Sequence, residues 1–342
     1  MLVFAAAAVA TWIAGTALSK TTDVLDRRFG LGEALGGVVL LAVAGSLPEI
    51  AITVSAAAKG NLGLAAGNLI GGIAVQTMVL VICDAAASRT QALTYLVGSL
   101  VPVLEGLLVV FVVSAVLMGS LLPGSVRIGP ISPASLAIVI AWTAGVYLLN
   151  TARKAPRWRV EMPGSSPGRR THRVAHPKEK PTPLTESTVR AAVVFVVGCV
   201  VTLVAGVALE VAGSHLADRA HITGVIFGAT VLSVATALPE ISSGVAAVRL
   251  GDNELAVADI FGGNSFQVSL FLLADLIAGK PVLPTAGNQN AWLAVLGIAL
   301  TVIYCWGVIM RHEGVVVRLG RDSLLAIAVF GLGIAGLVAV HA

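Results

Sequence analysis

Gly45-Ser46-Leu47-Pro48-Glu49-Ile50 and Thr236-Ala237-Leu238-Pro239-Glu240-Ile241 decide how this chain is read. Each lies inside a long apolar run, and each sets a carboxylate directly after a proline. A carboxylate at the centre of a bilayer costs about 2.5 to 3.5 kcal/mol on insertion scales. A proline in mid-helix removes one backbone hydrogen bond and crowds the carbonyl one turn back. Both costs at one point, incurred twice, predict broken helices whose freed backbone groups and acid side chains face an ion path.

Glu49 and Glu240 are 191 residues apart, and the same offset aligns much more. It carries Gly37 to Gly228, Leu47 to Leu238 and Pro48 to Pro239. It also carries Asn68 to Asp259, Gly71-Gly72 to Gly262-Gly263, Gln76 to Gln267 and Asp84 to Asp275. No gap is needed between 37 and 84. Polar residues are scarce here, so their alignment marks an internal duplication.

Composition sets the class. The chain is 57% hydrophobic and 12% charged, with a mean hydropathy of +0.93; a soluble domain carries about a quarter charged residues. This is the composition of an integral membrane protein. The 37 glycines suit close helix packing in lipid. The net charge of +4 comes mostly from one segment, so no nucleic-acid partner is expected. Cys83, Cys199 and Cys305 sit in apolar runs without metal-type spacing and read as buried, unpaired thiols. The apolar start lacks a basic leader and reads as a first membrane helix.

A membrane helix needs roughly twenty apolar residues. Ten segments qualify: 2–19, 32–58, 61–83, 93–118, 131–150, 188–213, 222–248, 252–278, 288–309 and 322–341. Between them lies 151–187, rich in Pro, Arg and Lys, which reads as a flexible linker. The expected organisation is a first five-helix repeat over 1–150, a linker over 151–187, and a second repeat over 188–342. Five is odd, so the second repeat enters from the opposite side and the duplication is inverted. With the amino terminus outside and the linker in the cytoplasm, 18 of the 22 Lys and Arg residues fall on cytoplasmic segments. Only Lys59, Arg127, Arg219 and Lys280 fall outside, which supports this orientation in a cell membrane.

The third and eighth segments carry Asn68, Gly72, Gln76 and Asp259, Gly263, Gln267. A spacing of four puts each trio on one helical face. The membrane interior thus offers Glu49, Glu240 and Asp259 as carboxylates, Asn68, Gln76 and Gln267 as amides, and Ser46 and Thr236 as hydroxyls. Asn264 and Ser265 add oxygens in the second half only. Hard oxygen donors suit sodium, calcium or other hard cations, and several carboxylates suit a divalent ion. Gln76 and Gln267 equally fit a role in joining helices. Asp84 and Asp275 fall near helix ends and read as interfacial structure. Glu105 has no acidic mate, and His215 and His221 receive no role.

Ser46-Leu47-Pro48-Glu49 followed by Gly67-Asn68-x-x-Gly71-Gly72, with its second copy, resembles the alpha repeats of the cation/calcium exchanger superfamily. That superfamily includes sodium/calcium and calcium/proton exchangers. The resemblance covers 37–84 and 228–275 and the ten-helix layout. It implies an all-α membrane fold of five plus five inverted helices. The ion site would lie at midplane, between the second, third, seventh and eighth. The family glutamates after the proline fall on Glu49 and Glu240. The hydroxyl positions before them fall on Gly45-Ser46 and Thr236-Ala237, so each half keeps one hydroxyl. The usual Gly-Ser-Asn becomes Gly71-Gly72-Ile73 and Gly262-Gly263-Asn264. The later Asn or Asp ligand falls on Gln76 and Gln267, and Asp259 replaces the Asn of the Gly-Asn start.

The expected function is secondary cation antiport, with calcium exchanged against sodium or protons at a midplane carboxylate site. Inorganic cations and the lipid bilayer are the expected partners, no resident cofactor is expected, and a monomer suffices. The alternatives are a membrane-embedded metal-dependent enzyme, or a cation channel using the same acids. An enzyme predicts clustered acids in an interfacial loop. Here the loops hold scattered Asp23, Asp26, Asp218 and Asp252, and the acids are duplicated at membrane depth.

Overall fold

The computed structural model describes residues 1–29, 43–88, 90–154, 188–285 and 287–341. Part of the second expected crossing (32–42), most of the linker (155–187) and Arg89 lie outside the described residues. The first half contains α1 (Leu2–Phe29), α2 (Leu47–Ala58), α3 (Leu62–Ala87), α4 (Val101–Ser120) and α5 (Pro133–Lys154). The second contains α6 (Thr188–Ala220), α7 (Gly224–Thr236), α8 (Leu238–Arg249), α9 (Asn253–Gln267), α10 (Leu270–Ala278), α11 (Gly287–Met310) and α12 (Arg321–His341). A two-residue hairpin, Val315–Val316 with Leu319–Gly320, precedes α12.

Among the described residues six segments are long and apolar enough to cross a bilayer: α3, α4, α5, α6, α9 with α10, and α11. The α7–α8 pair, bent by 45°, makes a seventh if counted as one span. The apolar parts of α1 (Leu2–Leu18) and α2 are shorter, and α12 spans 21 residues. The expected boundaries shift where the backbone is pinned. The fourth segment begins at Val101 rather than 93, because Pro102 belongs in a first turn, where a missing N–H costs nothing. A separate turn, Leu93–Leu96, precedes it. The eighth segment breaks at Val268–Ser269 without a proline; Ser265 and Ser269 hydroxyls donate to the Gly262 and Phe266 carbonyls at 2.8 and 2.6 Å.

Helix α3 is the hub. Of its apolar window 72% is buried, against 17% for α5 at the rim. Its glycines let α7 come close: a Cβ on Gly67 would lie 2.5 Å from the Val225 carbonyl oxygen, and one on Gly71 would strike Ala229. Packing recurs at the 191-residue offset. Helix α3 meets α8 and α11, as α10 meets α2 and α9 meets α4. Helices α1 and α6 form the most extensive pair; α1 also covers α8, and α6 covers α2.

Candidate functional site

Each Pro-Glu sequence starts a new helix at a break, and the α7–α8 pair bends by 45° there. Ser46 (φ −93°, ψ 16°) and Ala237 (φ −79°, ψ −2°) precede α2 and α8, with the proline in the first turn. The ladder resumes at once: Ile50 N donates to Ser46 O at 2.9 Å and Ile241 N to Ala237 O at 3.0 Å. Glu49 and Glu240 therefore sit at helix N-termini, where unpaired N–H groups and the helix dipole favour negative charge. That is the local reason the fold tolerates an acid at this depth.

The two acids lie in one region. Glu49 and Asp259 are both within electrostatic range of Glu240, and the Thr236 hydroxyl approaches the Glu49 carboxyl. Gln76 Nε2 donates to Glu49 Oε1 at 3.2 Å. Gln267 Nε2 donates to the Asn68 carbonyl at 3.0 Å. Ser243 Oγ donates to Asp259 Oδ2 at 3.1 Å, and Asn264 Nδ2 to Thr77 Oγ1 at 3.1 Å. Ser46, Thr236 and Asn68 are buried. The structure thus groups Glu49, Gln76 and Thr236 with Glu240 and Asp259, and links Gln267 to Asn68.

Several oxygens are left over. Glu49 Oε2, Glu240 Oε2, Asn68 Oδ1, Asn264 Oδ1 and Gln267 Oε1 are buried and accept no hydrogen bond. Buried oxygens without partners are unusual in a folded protein. A set of carboxylate and amide oxygens in this state is suited to exchanging a hard cation's hydration shell for protein ligands. Among the described residues no three acids draw together tightly enough to hold a metal ion in this conformation. The region gathers oxygen donors without closing a three-acid cluster.

Burial divides the repeat mates. Glu49 and Asn68 are 1% and 0% exposed, whereas Glu240 and Asp259 are half-buried. Sequence reasoning missed Ser243 and Thr77, which orient Asp259 and Asn264. Ser243 lies three residues after Glu240, on the same helical face, and that spacing was its one signal. Asp84 and Asp275 stand apart from the site, each tied to backbone N–H groups.

Comparisons with known proteins give the family and the fold. Residues 1–151 and 190–332 match the model of the family described as sodium/calcium exchanger protein. The inner membrane protein YrbG of Escherichia coli (strain K12) is 24% identical over 285 residues, covering 83% of this chain and 82% of that one. The H+/Ca2+ exchanger CAX superposes with a TM-score of 0.65 at 16% identity, over 97% of this chain and 80% of that one. The sodium-calcium exchanger NCX_Mj superposes with a TM-score of 0.59 at 17% identity, over 97% and 96%. Members of the family are multi-pass membrane exchangers, not enzymes, and this chain belongs to the sodium/calcium exchanger protein family.

Proposed function

We propose that this protein is a secondary antiporter that carries calcium against sodium or protons through one midplane site. The observation that carries the reading is the pair of buried, unpartnered carboxylate oxygens, Glu49 Oε2 and Glu240 Oε2, at the two helix breaks. The transported cation is the substrate, and its ligands are Glu49, Glu240 and Asp259, with Asn68, Gln76, Gln267, Ser46 and Thr236. The relatives named for calcium exchange support this choice of ion.

The chain crosses the membrane ten times, as two inverted five-helix repeats over 1–150 and 188–342, joined by a cytoplasmic linker. The amino terminus lies outside. Glu49 and Asp259 each lie within electrostatic range of Glu240 and repel it when no cation or proton is present. The site fills with calcium, sodium or protons in turn, and rocking of one helix bundle against the other exposes it to each face. Competition for the same oxygens then couples the fluxes, with no further device.

The test is ion flux into proteoliposomes of the purified protein, with calcium, sodium and pH gradients imposed separately. Calcium uptake driven by an outward sodium or proton gradient is the expected result. Calcium flux that ignores both gradients means a channel, and no flux under any gradient overturns the reading.

A further inference from the structure

Gln76 and Gln267 hold matching positions in the repeat and have different partners in space. Gln76 turns back within its own half and donates from Nε2 to Glu49 Oε1 at 3.2 Å. Gln267 crosses to the other half and donates to the Asn68 carbonyl at 3.0 Å. There its amide occupies the place where a Cβ on Gly72 would stand.

The 191-residue offset converts these partners into second-half groups: Glu49 into Glu240, Asn68 into Asp259, Gly72 into Gly263. The own-half seat of Gln267 is therefore Glu240, from which its Nε2 is turned away toward the Asn68 carbonyl. The cross-half seat of Gln76 is the Asp259 carbonyl beside Gly263. No described atom comes within 4 Å of a Cβ built on Gly263. Each glutamine thus fills one of its two seats and leaves the other open. Burial follows the same division: Ile52, Glu49 and Asn68 are sealed, while their mates Ser243, Glu240 and Asp259 are half-buried.

We propose that Gln76 and Gln267, beyond offering an amide oxygen to the cation, act as positioning residues whose Nε2 donors exchange seats as the protein alternates between its two faces, with Gly72 and Gly263 keeping the cross-half seats clear. The inference rests on the antiporter reading above and specifies its moving parts. In an inverted repeat, the opposite-facing state arises when each half takes the conformation of the other. Gln267 then donates to Glu240, and Gln76 moves off Glu49 to the Asp259 carbonyl over Gly263. The side-chain amide holds the carboxylate on the sealed side and leaves the carboxylate on the open side to the cation. Were the glutamines only fixed ties between helices, Gly263 would have no need to be glycine.

That difference gives the test. Gly263→Ala meets nothing outside its own helix in the present conformation, so it should not lower the unfolding temperature and, as a mid-helix Gly→Ala change, should raise it slightly. It should nevertheless slow exchange in proteoliposomes about tenfold or more, because the second state must overpack. The clash is with Gln76 itself, so Gly263→Ala combined with Gln76→Ala should be no slower than Gln76→Ala alone. Gly72→Ala collides with Gln267 where it now sits and should shift the protein toward the other state. In a background with Cys83, Cys199 and Cys305 replaced by alanine, Ser243→Cys should lose reactivity toward a water-soluble thiol reagent and Ile52→Cys should gain it. Unaltered reactivity at both positions, or independent losses in the Gly263 and Gln76 pair, overturns the proposal. The reactivity measurement needs no transport. A protein that moves no cation would sink the antiporter reading and still decide this one.

Discussion

Gly15 and Gly206 are repeat mates, and each lies against the proline turn of the opposite half. A Cβ on Gly15 would stand 2.6 Å from Pro239 Cγ, and one on Gly206 2.6 Å from Ala51 Cβ and 3.0 Å from the Pro48 carbonyl oxygen. Backbone groups freed at a helix break must be shielded from lipid. Helices α1 and α6 do this by passing directly over the breaks, and only glycine lets them approach so closely.

The first prediction follows from that contact. Gly15→Ala and Gly206→Ala should each lower stability by about 1 to 3 kcal/mol, the usual range for overpacking. Thermal unfolding in detergent measures it. Wild-type melting in both would mean that α1 and α6 are free to stand off from the breaks.

Asp84 and Asp275 pin the C-terminal ends of α3 and α10 in matching ways. Asp84 accepts from Leu93 N at 2.7 Å and from Gly320 N at 2.6 Å. Asp275 accepts from Val282 N at 2.7 Å and from Ser132 N at 2.9 Å. Each therefore ties its own half to a loop of the other. Asn in either place turns one acceptor into a donor facing an N–H, which should cost about 1 to 3 kcal/mol. Asp84→Asn and Asp275→Asn should melt early yet exchange cations at the wild-type rate per folded molecule. A lost flux with intact melting would make them ligands instead.

Much of this was legible in the sequence because its cause is local. Pro48 and Pro239 cannot donate, so helices had to start there, and the 191-residue offset tied the two sites together. What was not legible depends on tertiary contact. The π turn at Gly228–Leu232 sits where Gly228 is pressed against the Leu64 carbonyl and Asn68 N, and Ser233 Oγ donates to Gly228 O at 2.6 Å. The break at Val268–Ser269 rests on serine hydroxyls that a run of apolar residues conceals. The different partners of Gln76 and Gln267 cannot be read from identical residues at matching positions.

Glu105 shows the limit of the repeat, since its mate is Leu296. It is 1% exposed and pairs with Arg153 at the end of α5, leaving Oε2 without a partner. Removing one member of a buried ion pair costs about 3 to 5 kcal/mol, and less where one side is open to water, as Arg153 is here. Arg153→Gln should destabilise the protein, and adding Glu105→Gln should restore most of the loss. Thermal unfolding of the single and double variants decides it; a double variant as unstable as Arg153→Gln alone would place the defect in packing rather than charge.

Orientation has its own test. The Lys and Arg distribution supports the proposal of a cytoplasmic 151–187 linker. A cysteine introduced by Ser165→Cys in the background lacking Cys83, Cys199 and Cys305 should resist an impermeant thiol reagent on intact cells. It should react once the membrane is opened. Labelling of intact cells would reverse the orientation.

The last prediction concerns the acids themselves. Glu49→Gln and Glu240→Gln keep shape and remove one negative charge each, so the protein should fold and insert while exchange is abolished. Glu49 already accepts from Gln76, and the glutamine variant keeps an oxygen to receive that bond. Asp259 and Asn68 then form an informative pair, because they are repeat mates and only one carries charge. Loss of a charge weakens divalent binding more than loss of an amide, since oxygen ligands hold the ion mainly through electrostatics. Asp259 is also held by Ser243 and lies within electrostatic range of Glu240, so its charge acts on the same region. Asp259→Asn should therefore cut calcium flux by more than Asn68→Ala, with the larger effect at low calcium, where affinity limits the rate. Equal, small effects would mean that the site ends before this turn of α9. Wild-type exchange by the Glu49→Gln/Glu240→Gln double variant would mean that the cation passes elsewhere.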